Sequence, residues 1–226
     1  MDRSEWNRKV AISRWNKVIN KEKEGILSNK EGILLKSAIC GFLAGDGSIQ
    51  IRNRGSFNEH RIDFFPDDKK MLKTYLKFIK KIYGKTPHLS RRDNVFTARI
   101  NSKTIVEDLL KEAKFGIKKW EVPVNLLLSN EAKKYWLRAF FSAEGYVNDD
   151  VIKIQTVNKR GMTQVSDLLN NLSIKHGFYH YTPKKSNYSE THIIMINKKE
   201  ARKKFYYDIG FWHSKKMQIL KKSISA

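Results

Sequence analysis

The sequence predicts an α+β protein built from two similar halves, each alternating helices with β-hairpins. Three observations lead there. An apolar helix ending in an acid and a glycine occurs twice, as GFLAGDG at 41–47 and AFFSAEG at 139–145. The order helix, hairpin, helix, hairpin, helix follows from each copy. Landmarks also recur at nearly one spacing: Asp46 and Glu144 are 98 apart, Gly84 and Gly177 are 93 apart, and Asn101 and Asn197 are 96 apart. That period is too long for a solenoid unit. It describes a pseudo-dimer in one chain, and 226 residues suffice for its core.

Residues 1–30 read as a basic helical appendage of one or two short helices, with Trp6, Val10, Ile12, Trp15, Val18 and Ile19 as the apolar minority. The first half spans 31–116. An apolar helix over 32–45 is ended by Asp46-Gly47. SIQIRNR then alternates with period two, Ile49 and Ile51 on one side and Gln50, Arg52 and Arg54 on the other, as a strand with one polar face does. A turn at Gly55-Ser56-Phe57-Asn58 leads to HRIDFF, with Ile62 and Phe64 inward and Arg61 and Asp63 outward. A helix over 68–83 stops at Gly84. HLSRR and VFTARIN form a hairpin turning at Asp93-Asn94, and a helix over 102–114 closes this half. A linker at 117–130 contains Pro123. The second half, 131–226, repeats the plan: the helix KKYWLRAFFSAEG, the hairpin YVNDDVIKIQTV, a helix over 162–172, strands in FYHYTPKK and THIIMIN, and a last helix over 199–208.

Composition narrows the function. Forty-five Lys and Arg against 23 Asp and Glu leave a formal charge of +22. So large an excess self-repels unless a polyanion balances it, which points to nucleic acid before an anionic membrane. No apolar run approaches 18 residues, and MDRSEWNRKV lacks the apolar stretch of a signal peptide, so an intracellular protein without a membrane span is expected. One cysteine, Cys40, excludes a disulfide framework and a Cys-based zinc cluster. It reads as a core residue. The histidines show no close metal-ligand spacing, and the Lys-rich runs KKFYYD and KKMQILKK read as solvated helix faces.

The chemistry centres on the two acidic helix ends. Gly41 aligns with Ala139 and Gly45 with Ala143, so both helices carry small residues four apart on one face. Small side chains there let two helix backbones approach closely. Packing these helices together would bring Asp46 and Glu144 into one place, each at the negative end of a helix dipole. Two carboxylates so placed repel and raise a pKa. A shared divalent cation removes both penalties, and Mg²⁺ favours one or two carboxylates with water and phosphate oxygens. With basic strand faces alongside, this suggests metal-assisted phosphodiester hydrolysis.

GFLAGDGS and AFFSAEGY resemble the two copies of the LAGLIDADG motif, and residues 32–210 resemble a single-chain LAGLIDADG homing endonuclease of the intron-encoded type. The resemblance implies an αββαββα fold in each half, with the motif helices packed at the centre. It implies a saddle of antiparallel strands on the DNA major groove, and cutting of both strands across the minor groove. It assigns Asp46 and Glu144 as metal-binding catalytic acids, with the carbonyls of Gly45 and Ala143 as further ligands. The family also uses a lysine, often beside Asn or Gln, at the end of a half's second strand. IQTVNKRG offers Asn158 and Lys159 there, Lys159 to polarise the attacked phosphate or the water. The first half instead reads FFPDDKK, with Pro66-Asp67 at that place and Lys69 and Lys70 as nearby substitutes, so unequal contributions from the halves are expected.

Expected DNA contacts are Gln50, Arg52, Arg54, Arg61, Asp63, Arg91, Arg92 and Arg99, with Thr97, in the first half. Lys153 and Gln155 serve in the second, extended by Tyr179, Tyr181, Lys184 and Lys185. Arg and Lys suit guanine edges or phosphates, and Gln suits adenine. The two faces differ, so a long, asymmetric double-stranded DNA target is expected for a monomer. Mg²⁺ is the expected ion, Mn²⁺ an alternative, and Ca²⁺ should support binding without cutting. Two alternatives on the same fold are an RNA maturase assisting intron splicing and a non-cleaving DNA-binding regulator. Retention of both acids favours cutting. A start at Met1 and an end at SISA lack the residues of intein splicing. The compartment expected is cytoplasmic, or organellar in a eukaryote.

Overall fold

The computed structural model describes residues 2–225 except 25, 27–28, 56–57, 94 and 184–188, and the side chains of 21–24 are also outside the description. The turn residues Ser56, Phe57 and Asn94, and the DNA-contact candidates Lys184 and Lys185, therefore lie outside the described residues.

The chain opens with a single helix, α1 (Arg3–Glu24), whose Trp6, Ile12, Trp15 and Val18 are exposed. The first motif helix, α2 (Lys30–Asp46), starts where Asn29 accepts the Gly32 N–H. It is buried over most of its length, including Cys40, so burial pushes the Cys40 thiol far above its usual range. Strands β1 (Gly47–Asn53) and β2 (Asn58–Phe64) follow, then α3 (Lys69–Tyr83), β3 (His88–Arg92), β4 (Val95–Asn101) and α4 (Lys103–Glu112). Asp68 caps α3 by accepting the Met71 N–H, and Gly84 ends it in the left-handed region, φ 64°, where glycine meets no Cβ penalty.

The second half repeats this order with α5 (Asn130–Glu144), β5 (Tyr146–Val147), β6 (Ile152–Thr156), α6 (Lys159–Asn171), β7 (Gly177–Tyr181), β8 (Thr191–Ile196) and α7 (Lys199–Asp208). An eighth helix, α8 (Ser214–Ser225), follows the last helix of the repeat and contains the run KKMQILKK read above as a solvated helix face. Its Met217, Leu220 and Ile224 sit at helical spacing and pack into the core or against it.

Each half contributes one antiparallel four-stranded sheet, ordered β1-β2-β4-β3 and β5-β6-β8-β7. The strand that leaves each motif helix is therefore an edge, and the strand that returns lies second. The alternation holds where the core reaches: Ile62, Phe64, Ile152, Ile154, Ile194 and Ile196 are buried. Ile51 lies beyond it and is exposed. One apolar core runs through both halves, with α2 and α5 packed on each other at its centre.

The segment between α7 and α8 ties the halves together. Trp212 lies 5.4 Å from the Phe42 ring, 5.3 Å from Phe78 and 5.7 Å from Tyr135, so it packs on elements of both halves. Its N–H donates to Ser142 Oγ at 2.7 Å. The Ser214 N–H donates to Asp68 at 3.2 Å, so one carboxylate receives N–H groups from the first turns of both α3 and α8.

Candidate functional site

The crossing of α2 and α5 makes the site. A Cβ added at Gly41 would lie 2.9 Å from Ala139 Cβ and against the backbone oxygen of Trp136. One at Gly45 would strike Ala143 Cβ and come within 3.2 Å of Glu144 Cγ. The two pairs of small residues thus face each other, and only glycine on the α2 side permits this approach. The acids follow from the crossing: each closes its helix, and Gly47 and Gly145 turn the chain directly into a strand. On the α2 side the Phe65 N–H donates to the Asp46 carbonyl at 2.9 Å, which holds that helix end beside the returning strand.

The two carboxyls interact electrostatically. Burial pushes the Asp46 carboxyl up to about 7, Glu144 adds its repulsion, and Lys216 acts in the opposite direction. Burial also raises Glu144, offset by Lys216. Lys216 comes from α8. Its ammonium donates to the carbonyls of Ser142 at 2.6 Å and Ala143 at 2.8 Å. Burial pulls its pKa down, while Asp46, Asp67, Glu144 and Asp68 support its charge. His213 stands beside it, 3.4 Å from Asp67 and 3.9 Å from Asp68, and burial followed by the charge of Lys216 lowers its pKa.

This donor set suits a hard cation. The half-buried Asp46 carboxylate, the exposed Glu144 carboxylate and the terminal Ala143 carbonyl are all oxygen donors, and the carbonyl already holds an ammonium. The Gly45 carbonyl is the counterpart of Ala143 in the first half. Among the described residues no group of three His, Cys, Asp or Glu side chains could hold a metal, so an ion at this place would need carbonyls, water and phosphate to complete its shell.

Several expected site residues are placed differently. Asn158 is 4% exposed and caps α6: its Oδ1 accepts the Gly161 N–H at 3.1 Å, and its Nδ2 donates to the Trp120 carbonyl at 2.6 Å. Both ends of the amide are used, so a catalytic role is corrected to a structural one. Lys159 lines a cavity with Phe178, Tyr179, His180, Glu190 and His192, on the β7–β8 side of the sheet. Glu144 adjoins β5 at the opposite edge. Lys216 is the basic group whose charge reaches the acids instead, with His213 beside it on Asp67 and Asp68. The run KKMQILKK reads as a solvated helix face, yet Lys216 within it bonds the end of α5 and the neighbouring His213 is 8% exposed. The Met217-Leu220-Ile224 spacing was the one available signal for α8.

The first sheet presents an ionic face. Gln50 pairs with Arg61 across β1 and β2, and the Arg61 guanidinium donates to Gln50 Oε1 at 3.3 Å. Asp63 was expected to face DNA, but it is 1% exposed and clamped between Arg61 at 2.8 Å and Arg99 at 2.6 Å. It orders those arginines. Arg54 is ion-paired with Glu59 at 3.1 Å, and exposed Arg52 sits opposite Glu59. Register divides Arg91 from Arg92: Arg92 pairs with Val95 on the side of Thr97 and Arg99, whereas Arg91 pairs with Phe96 and lies over its ring at 5.2 Å. The expectation that both extend one face is corrected for Arg91. The second sheet's matching face is less charged. Lys153 and Gln155 pair with Met195 and Ile193, which in turn pair with Gly177 and Tyr179. Tyr146, Tyr179 and Tyr181 are exposed.

Comparison with known proteins agrees with this geometry. The LAGLIDADG-like domain family matches residues 131–210. Mesophilic variants of the homing endonuclease I-DmoI share the fold at a TM-score of 0.64 and 16% identity, over 78% of this chain and 90% of theirs. I-DmoI in complex with DNA and Ca matches at 0.62 and 17%, over 78% and 89%. The LAGLIDADG meganuclease I-AabMI bound to uncleaved DNA matches at 0.53 and 14%, over 84% and 89%. WhiA from Thermatoga maritima matches at 0.55 and 13%, over 92% of this chain and 64% of that one. Among curated proteins, glutamine–fructose-6-phosphate aminotransferase of Methanocaldococcus jannaschii is 26% identical over 191 residues, 80% of this chain and 17% of that protein. The replication factor C small subunit of the same organism is 25% identical over 184 residues, 80% and 10%. This chain thus spans less than a fifth of either relative. It carries a LAGLIDADG-like domain and, across both halves, the fold of the single-chain LAGLIDADG homing endonucleases.

Proposed function

We propose that this chain is a metal-dependent endonuclease that cuts both strands of a long, asymmetric duplex target across its minor groove. The observation that carries the reading is the delivery of Asp46 and Glu144 to one place by a helix crossing that tolerates no side chain at Gly41 or Gly45. A site selected for stability would not gather two acids at two helix C-termini. The DNA-bound relatives with Ca or Mn support duplex DNA and a divalent ion as its partners.

Asp46 and Glu144 would hold the ion, Mg²⁺ by preference, with the carbonyls of Ala143 and Gly45 as further donors. Bound there, the ion supplies a water of lowered pKa and a Lewis acid for the phosphate. The chain's own residues do the rest. Asp46 must release its proton to serve as a donor, so activity rises with pH through about 7. The halves at 31–116 and 131–226 each cover one side of the target. Gln50, Arg52, Arg61, Arg92 and Arg99 approach base edges or phosphates from the first sheet, and Lys153, Gln155 and the exposed tyrosines do so from the second.

The same fold in WhiA means that fold by itself does not assign cleavage. The seat of Lys216 on the Ala143 carbonyl favours a second reading, a DNA-binding protein that does not cut. One experiment separates the readings. The purified chain is incubated with a randomised duplex library in Mg²⁺ or Ca²⁺ at fixed salt, and bound and cut molecules are sequenced. Specific cuts in Mg²⁺, lost in Asp46→Asn and Glu144→Gln while binding persists, are expected. Specific binding without cuts supports the second reading, and no specific duplex binding overturns both and points to RNA.

A further inference from the structure

We propose that Lys216 is a tethered cation that neutralises the Asp46–Glu144 pair, and that a divalent ion must displace it from the Ala143 carbonyl in order to bind. This rests on the metal-site reading given above. The ammonium occupies the terminal carbonyls of α5, donating to Ser142 and Ala143 at 2.6 and 2.8 Å. One of those oxygens belongs to the metal donor set. Four carboxylates act on the same ammonium: Asp46, Glu144, Asp67 and Asp68. Its hydrogen bonds go to carbonyls, so the acids' oxygens are not consumed by it.

The tether is built into the fold. The Lys216 N–H faces His213 Nδ1 at 3.4 Å in the first turn of α8, and Ser214 N–H and Trp212 N–H anchor that turn to Asp68 and Ser142. Those anchors touch both halves, so the position of Lys216 is fixed only when the halves are docked. The stem of four methylenes lets the head leave by side-chain rotation with the helix in place. The arrangement answers how two neighbouring carboxylates persist before metal arrives, since a cation held beside them offsets their mutual repulsion. It also predicts competition: a divalent ion entering this field meets a positive charge already there.

The test counts bound Mn²⁺ by electron paramagnetic resonance on the full-length chain without DNA. Lys216→Met should bind Mn²⁺ on the order of tenfold tighter than wild type, because one opposing charge is removed from a poorly solvated site. Lys216→Arg, which keeps the charge, should match wild type. Lys216→Met should also melt lower than wild type in EDTA and recover in Mn²⁺. Lys216→Gln, with the same expectations, replaces it if the Met variant does not fold. Unchanged or weaker Mn²⁺ binding in these variants overturns the tethered-cation role and makes Lys216 a partner of the metal. Binding that is insensitive to Asp46→Asn and Glu144→Gln, or no binding in any variant, overturns the metal site itself.

Discussion

Replacing Asp46 with asparagine should make the metal-free protein more stable at neutral and alkaline pH, although the same change removes a proposed metal ligand. In the fold the Asp46 carboxyl titrates near 7, against about 3.8 in an unsupported chain. Below about 3.8 it is protonated in both states. Between the two values the unfolded chain has released the proton and the folded one has not, so the folded state binds more protons and stability falls as pH rises. Above about 7 the loss is complete. At about 1.4 kcal/mol per pH unit, the wild type loses up to about 4 kcal/mol across this window. The asparagine side chain is neutral throughout and does not incur that loss. Urea unfolding in EDTA at fixed salt, from pH 4 to 8.5, measures it: the stability difference between variant and wild type should grow with pH and level off above 7. Contributions from other groups largely cancel in that difference. Adding Mn²⁺ at pH 8 should stabilise the wild type and leave the variant unmoved. A difference that is flat with pH, or that turns against the variant as pH rises, would refute the reasoning and show that Lys216 holds Asp46 ionised in the fold.

Further outcomes follow from other contacts. Gly41→Val drives side-chain atoms into the backbone of α5 at Trp136 and should cost at least about 3 kcal/mol, read from urea midpoints, because backbone yields less than a side chain. Lys36, 8% exposed and 2.8 Å from Asp108, lies in the first motif helix; Lys36→Met leaves that carboxylate partly buried with Tyr83 as its remaining close partner and should cost about 3–5 kcal/mol. Asp63→Asn frees Arg61 and Arg99 from their shared anchor, so library sequencing should show relaxed preference at the base pairs they meet, each worth about 1–3 kcal/mol of discrimination. An unchanged site preference would mean these arginines contact phosphates only. Trp212→Ala should lower stability by about 2–4 kcal/mol and tighten Mn²⁺ binding in the same variant, since the segment that holds Lys216 against the Ala143 carbonyl loses its packing.

The repeated plan was readable because its signals are local. The hairpin read from HLSRR and VFTARIN matches β3 and β4, and the small-residue pairs in the motif helices mark the faces that meet. What escaped depended on partners far along the chain. Lys216 reaches Ala143 from 73 positions away, and nothing in KKMQILKK separates a half-buried lysine from its solvated neighbours. Asn158 was ambiguous for a different reason: an Asn between a strand and a helix is an ordinary cap, and only its bond to the Trp120 carbonyl decides the matter. Asp63 followed the alternation correctly, yet its face is roofed by its own arginines, so polar facing did not mean exposed.

The clasp at Trp212 also sets an order of events during synthesis. Domains fold in sequence as a chain is made, from the N-terminal side first. Everything that Trp212, His213 and Lys216 join, from Phe42 and Asp68 to Tyr135 and Ala143, has already been translated when those residues emerge. Until then the two acids lack their neighbouring cation, and the aromatic surface at Phe42 and Phe78 lacks its cover. A nascent chain therefore carries both motifs well before it carries a finished centre, and the centre is completed by a late-made piece that belongs to neither motif.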